Sequence, residues 1–493
     1  MRVIDARGRV VVPGLIDSHM HLLMGGRSLG EVDLSRVRSR EQFQRAIAEA
    51  HARLPAGQWL IGRGWSEQNW PGHAMPDKSW LNAGNAARPC VCHRMDIHAA
   101  LVNEPVLAMI GAATQSDPRG GRIVRDTTTR EPTGLLLESA AWKLVHPLIP
   151  QPDVAAKQAS LRTAQAHANS LGLTGVGSME FAADVEQVFR PLRDELTLRC
   201  AVTLLDRATG DEPFDFEFGR GFDSDHGLSV VGYKTFIDGT LGSRTARMLT
   251  NYADSGAAAD DRGMLVELAA AGRLNEWAAA VARAGLSPSM HAIGDEAVRL
   301  ALDAAAAAES AGAAASNGLR SRIEHAQHID ASDMLRFRDR IASMQPLHKA
   351  DDGRVIEQRL GRERSRGAFA FRSLRNAGAI LAFGSDWPVV SCDPLLGMWA
   401  AITGLTLDDQ PFNVQENLTP EEALIAYTAD AARALNMRDA GMLRVGALGD
   451  CVMFDIDPFT ADWIRRPPRV ILTIVGGEAV FDATQDQVHA YAR

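Results

Sequence analysis

Short apolar runs alternate along the chain with alanine-rich helical stretches, and this alternation predicts βα units that build a parallel sheet. Eight runs read as strands: VVPGLIDSH (11–19), LTGVGSM (173–179), LRCAVTL (198–204), VVGYKTFI (230–237), LSPSMH (286–291), SRIEH (321–325), IASMQP (341–346) and AILAFGSD (379–386). Between them, VAAKQASLRTAQAHANSL (154–171), LNEWAAAVARAG (274–285) and EAVRLALDAAAAAESAGAAA (296–315) are rich in good helix formers. Eight strands suggest a closed barrel, so the predicted fold is α/β, a (β/α)8 TIM barrel.

Two segments break the rhythm. Residues 30–150 separate the first strand from the second, far more chain than a βα unit needs, and carry strand-like pieces of their own at 58–65 and 88–96. They predict an inserted lobe whose length suits a lid or pocket wall at the barrel mouth. After the last barrel strand, LTPEEALIAYTADAARAL (418–435) starts with a Thr419/Glu422 capping box and reads as a helix. GMLRVGALGDCVMFDIDPF (441–459) and RVILTIVGGEAVFD (469–482) then read as short strands of a small β module. The expected division is a barrel over 13–435, including the lobe, and a β module over 1–12 and 436–493.

Composition narrows the function. With 493 residues, 46% hydrophobic and 23% charged, the chain is globular and long enough for a large core. A net charge of −9 with no basic stripe argues against nucleic acid and for a small-molecule partner. Five cysteines are too few and too scattered for a disulfide framework, which fits a reducing cytoplasm. The opening MRVIDARGRVVVPG has no apolar core of a leader peptide, and no run of about 18 apolar residues occurs, so a soluble cytoplasmic protein without a membrane partner is expected.

In a parallel barrel the reactive groups lie at the C-terminal ends of the strands. The first strand ends in HMH, and alternate strand residues face one way, so His19 and His21 can point together into the mouth. Alone, the pair could be two polar loop histidines. The fifth strand ends at His291, the sixth at His325 and the eighth at Asp386, which brings four histidines and a carboxylate to one rim. Nitrogen and oxygen ligands without thiolate favour zinc or another borderline divalent ion. Lys234, inside the buried run VVGYKTFI, is the oddity: an ammonium group in such a strand needs a partner, and Asp238 is one candidate.

PGLIDSHMHL, the lysine strand, HAIGD, IEHAQ and GSDWPV, in that order, resemble the motifs of the amidohydrolase superfamily. GRGW (62–65), RMDIHAALVN (94–103), PTGLLLE (132–138), DGTLGSRTA (238–246) and QPLH (345–348) resemble the branch that contains N-substituted formamide deformylase, and the likeness spans nearly the whole chain. The resemblance implies one or two divalent ions at the mouth. His19, His21 and Asp386 would hold one and His291 with His325 the other, with Lys234 as an N6-carboxylated lysine bridging them. A carbamate offers two anionic oxygens where an ammonium group offers no lone pair. The implied activity is hydrolysis of a non-peptide C–N bond by a metal-activated hydroxide, with Asp386 as general acid and base. An ester, lactone or phosphoester hydrolase, or a catalytically silent binding protein on the same fold, are the competing readings.

His98, Arg63, Trp65, His348 and Trp387 are the candidate substrate contacts, with core packing as the alternative for the two tryptophans. Arg244 could clamp an anionic group or pair with Asp238. Family members place strands from both chain ends in a β sandwich, and here the N-terminal share is reduced to about one strand. Three explanations are open: a start that is internal to a longer chain, a truncated variant, or a second chain covering the edge. An uncovered edge predicts poor solubility or a homodimer.

Overall fold

The computed structural model describes residues 4–118, 120–208, 212–255, 261–312, 318 and 320–483; residues 313–315, the end of one expected helix, lie outside them. Eight parallel strands make a single sheet: β1 (Leu15–Met20), β2 (Leu173–Glu180), β3 (Arg199–Leu205), β4 (Leu228–Phe236), β5 (Ser287–Ala292), β6 (Arg322–His325), β7 (Ile341–Met344) and β8 (Ile380–Phe383). Each pairs with its sequence neighbour, from β1 on β2 through to β7 on β8. β8 then returns to β1. The Asp386 amide donates to the His19 carbonyl at 2.7 Å, and the Ser385 amide donates to the buried Asp17 carboxyl. The sheet is thus a (β/α)8 barrel.

Burial explains the run-like sequence pattern, because parallel strands are covered on both faces. Every residue of β1, β2, β5, β6, β7 and β8 is buried. Where strands approach most closely only glycine fits. A Cβ at Gly177 on β2 would stand 2.3 Å from the Ser18 carbonyl, and one at Gly232 on β4 would stand 2.1 Å from the Ser287 carbonyl.

The run 11–19 divides in two. Val11–Pro13 pairs antiparallel with Cys451–Phe454, in a four-stranded sheet completed by Val470–Val475 and Glu478–Asp482, while β1 enters the barrel. Gly14 is the pivot: its amide donates to the Asp450 carbonyl, and a Cβ there would strike Thr174 Oγ1 at 2.1 Å. The expected helix 418–435 is likewise two, Pro420–Ala426 and Ala429–Ala434. Its capping box is present, but Thr428 is non-helical and the Tyr427 carbonyl is taken by the Ile16 amide of β1.

The chain divides into two compact units, Met1–Gly26 with Val154–Leu241 and Thr245–Arg493, and Arg27–Asp153 with Gly242–Arg244. The second unit holds a six-stranded sheet in the order Val32–Asp33, Leu60–Trp65, Cys90–Arg94, Ala99–Val102, Pro132–Glu138, Gly121–Arg125. It has its own apolar core, with Phe43, Trp65 and Trp80 in one cluster and Val91, Val106 and Leu136 in another. Among the described residues no helix is long and apolar enough to cross a membrane.

The Gly232→Ala variant tests the close approach of β4 and β5. It is expected to lose about 1–3 kcal/mol of stability, read as a lowered urea midpoint, because the obstructing atom is backbone. An unchanged midpoint would mean that the two strands separate without cost.

Candidate metal centre

β1 delivers two imidazoles to one rim of the barrel, with His21 just beyond the strand's last residue. His19 Nε2 lies 3.3 Å, and His21 Nε2 3.4 Å, from Asp386 Oδ1. These are long for hydrogen bonds. Ligands about 2.0–2.1 Å from a tetrahedral ion stand about 3.3 Å from one another, so each nitrogen is spaced from the carboxylate oxygen as two donors on one cation are, and one donor atom of each of the three residues lies within 4.8 Å of the others. His325, His348 and Asp386 form a second group, with one donor atom of each within 4.8 Å of the others. His325 Nδ1 is buried without a hydrogen bond, an orphaned donor position that a cation would satisfy. The residues present fit a divalent ion.

The backbone is bent where these ligands project. His325, Ala326 and Asp386 have φ of 70°, 43° and 61°, a region that costs non-glycine residues about 1–3 kcal/mol each. Such strain persists only where surrounding contacts over-determine it. At Asp386 they include the hydrogen bond from its backbone N–H to the His19 carbonyl and the Asp17 grip on Ser385.

Hydrogen bonds behind the ligands set their orientation. His19 Nδ1 is 2.7 Å from Glu324 Oε2, and His21 Nδ1 is 3.2 Å from the Met179 carbonyl, so both rings turn Nε2 toward the mouth. The segment after His21 is held by β2: the Leu22 amide donates to Ser178 Oγ and the Leu23 amide to Glu180 Oε1. Burial pushes the His21 and His325 imidazoles below their ordinary range, into the neutral form that ligates metals. Asp386 is buried too, but the neighbouring His19 and His21 imidazoles hold its carboxyl well below the usual range, as an anion.

Lys234 Nζ meets His19 Nε2 at 3.0 Å and lies 5.0 Å from the Phe236 ring centroid. Its pKa is lowered, chiefly by burial, against the pull of Asp386 and Glu324. Asp238, the partner considered from sequence, accepts the backbone amides of Arg247, Ile293 and Gly294. His291 packs edge-on against His325 with ring centroids 4.4 Å apart, but its Nε2 faces the Gly239 carbonyl at 3.1 Å. His291 stands in neither compact donor group. His348, expected only as a substrate contact, stands in one, stacked 6.0 Å from His325.

Trp387 is buried and packs with its ring tilted 32° to that of His167, centroids 5.5 Å apart. In the second unit Trp65 is fully buried and its indole donates to the Cys92 carbonyl, while Arg63 Nε donates to the Ser28 carbonyl. His98 Nδ1 is 2.8 Å from Glu138, which also accepts from Ser243. The residues that sequence reasoning missed are those behind the ligands: Asp17, Glu180, Arg322 and Glu324. The signal was a charged residue inside an otherwise apolar strand run, the same signal that singled out Lys234.

A (β/α)8 barrel with a His-x-His pair, further histidines and an aspartate at the C-terminal ends of its strands defines a class of hydrolases that work through a bound metal. The profile described as "Amidohydrolase family" matches residues 2–481. The chain belongs to that family and is a hydrolase. It is 33% identical over 507 residues to Protein LONG AFTER FAR-RED 3 of Arabidopsis thaliana, covering 97% of this chain and 83% of that one. It is 26% identical over 504 residues to N-substituted formamide deformylase of Arthrobacter pascens, covering 98% and 90%. Among solved structures, an uncharacterized metal-dependent hydrolase from Pyrococcus horikoshii OT3 superposes with a TM-score of 0.71 at 25% identity, over 94% of this chain and 89% of that one.

Glu180 offers a pH test of the support behind His21. Burial pushes its carboxyl from an ordinary 4.5 up to about 7, despite the hydrogen bonds from Ser178 and Leu23. Between those values the folded state holds a proton that the unfolded state has lost, so this group's contribution to stability falls as pH rises. In metal-free protein Glu180→Gln is expected to gain on the order of 3 kcal/mol relative to the native sequence between pH 4.5 and 7.5, measured by urea unfolding. Parallel stability curves would contradict the shift.

Proposed function

We propose that this protein hydrolyses a non-peptide C–N bond of an amide-type small molecule, with zinc or a similar divalent ion at the barrel mouth. The observation that carries the reading is the convergence of His19, His21 and Asp386, with both Nε2 atoms 3.3–3.4 Å from Asp386 Oδ1 and one donor atom of each residue within 4.8 Å of the others. The deformylase relative, whose name specifies an N-substituted formamide, supports the choice of bond. When bound, such an ion polarises a carbonyl and makes water acidic enough to supply hydroxide near neutral pH. Asp386, kept anionic by its histidine neighbours, takes a proton from the attacking water and returns it to the departing nitrogen. No serine or cysteine nucleophile is required.

His19, His21 and Asp386 hold the first ion in this reading. His325 would serve a second, with His291 and His348 as its neighbours, and Lys234 Nζ stands 3.0 Å from His19 Nε2 of the first group. A buried lysine with a lowered pKa spends more time as the neutral amine, the form that attacks carbon dioxide. The nitrogen bonds to the carbon, one proton leaves, and an anionic N6-carboxylate results. Burial thus favours the reactive amine, and a divalent ion would stabilise the resulting anion, which would replace a repelling cation with an oxygen ligand.

The test uses zinc-loaded protein on N-formyl and N-acyl amides, esters, lactones and phosphoesters. Amide turnover should dominate. Asp386→Asn should lower kcat by about 10²- to 10⁴-fold, and Lys234→Ala should lose metal and activity together. Preferred turnover of esters, lactones or phosphoesters would move the assignment to those bonds. No turnover and no retained ion would leave a binding protein on the same fold.

A further inference from the structure

Glu324 precedes His325 on β6, and its carboxylate is fully buried inside the barrel. Oε2 lies 2.7 Å from His19 Nδ1, and Oε1 accepts from Ser289 Oγ at 2.5 Å and from Arg322 Nε at 2.7 Å. Arg322, equally buried, adds a second contact to Oε2 at 3.2 Å. The guanidinium is anchored in turn on the Ser18 carbonyl at 2.7 Å, Ser343 Oγ at 3.2 Å and the Ala434 carbonyl at 3.3 Å. Three donors from β1, β5 and β6 therefore fix one carboxylate.

A carboxylate held this way can only accept, so the proton on the His19 ring must sit on Nδ1. The Gln345 amide nitrogen is 3.3 Å from the same ring nitrogen, a looser approach than the 2.7 Å contact of Glu324. Nε2 is then left with its lone pair facing the mouth, and Lys234 Nζ lies 3.0 Å from it. An Arg–Glu pair that served the core alone would need no imidazole. Here the second carboxylate oxygen is spent on one.

We infer that Glu324, clamped by Arg322, is a positioning residue for the metal centre: it fixes His19 as the Nδ1–H tautomer and aims Nε2 at the ion. The inference rests on the reading that His19 ligates a metal, and it makes the barrel's buried ion pair a determinant of metal affinity. Removing Glu324 alone would strand the Arg322 charge in the core, so the informative variant is Arg322→Met with Glu324→Leu, which removes both charges and keeps apolar bulk.

Two measurements on the full chain test it. Chelator competition should show zinc held about 10- to 100-fold more weakly in the double variant, with circular dichroism confirming that it folds. Nitrogen-15 spectra of histidine-labelled, metal-free native protein should show His19, assigned by the signal lost in His19→Asn, protonated on Nδ1 alone. A folded double variant with native zinc affinity would overturn the inference, as would an Nε2-bound proton on His19 in the native protein. Should the double variant fail to fold, the native spectrum decides. Native protein that binds no zinc would overturn the proposed function instead, and the tautomer would still be readable.

Discussion

The donor end of the barrel depends on a salt bridge that water never reaches. Arg322 and Glu324 are completely buried between β1, β5, β6 and β7, and breaking such a pair from one side leaves an uncompensated charge, a loss of about 3–5 kcal/mol. Each member also reaches β1: Arg322 donates to the Ser18 carbonyl, and Glu324 meets the His19 ring. The interaction that ties β6 to β1 therefore also orients the first ligand. β8 is tied to β1 in a parallel way, since Asp17 receives the Ser385 amide and the His19 carbonyl receives the Asp386 amide. Closure of the barrel and convergence of the ligands come from the same contacts.

Electrostatics above this layer point one way. Imidazoles kept neutral by burial stand beside a carboxylate kept anionic by its neighbours, and a lysine whose ammonium form is disfavoured lies 3.0 Å from His19 Nε2. Such a set offers lone pairs and one negative charge to a common space, and a divalent cation is its complement. The backbone strain at His325, Ala326 and Asp386 agrees with a site shaped for ligand geometry at a cost in local conformation.

Much of this was legible before any coordinates. Strand runs alternating with helix formers announced the barrel, and strand ends named His19, His21, His291, His325 and Asp386, because side-chain alternation and barrel topology are both simple periodic rules. What escaped was set by contacts remote in sequence. The split of 11–19 depends on Gly14 meeting Asp450 and Thr174. The break in the 418–435 helix coincides with the Tyr427 carbonyl binding Ile16. The role of Glu324 depends on a histidine 305 residues away. His348 joined the donor groups and His291 turned to Gly239 for the same reason, since loop geometry beyond a strand end is not written in the strand.

The most direct test is anomalous diffraction at the zinc edge from crystals of zinc-saturated protein. The account predicts a peak between His19 Nε2, His21 Nε2 and Asp386 Oδ1, with added density on Lys234 Nζ facing it. Zinc-saturated crystals with no anomalous peak among those three atoms would contradict it.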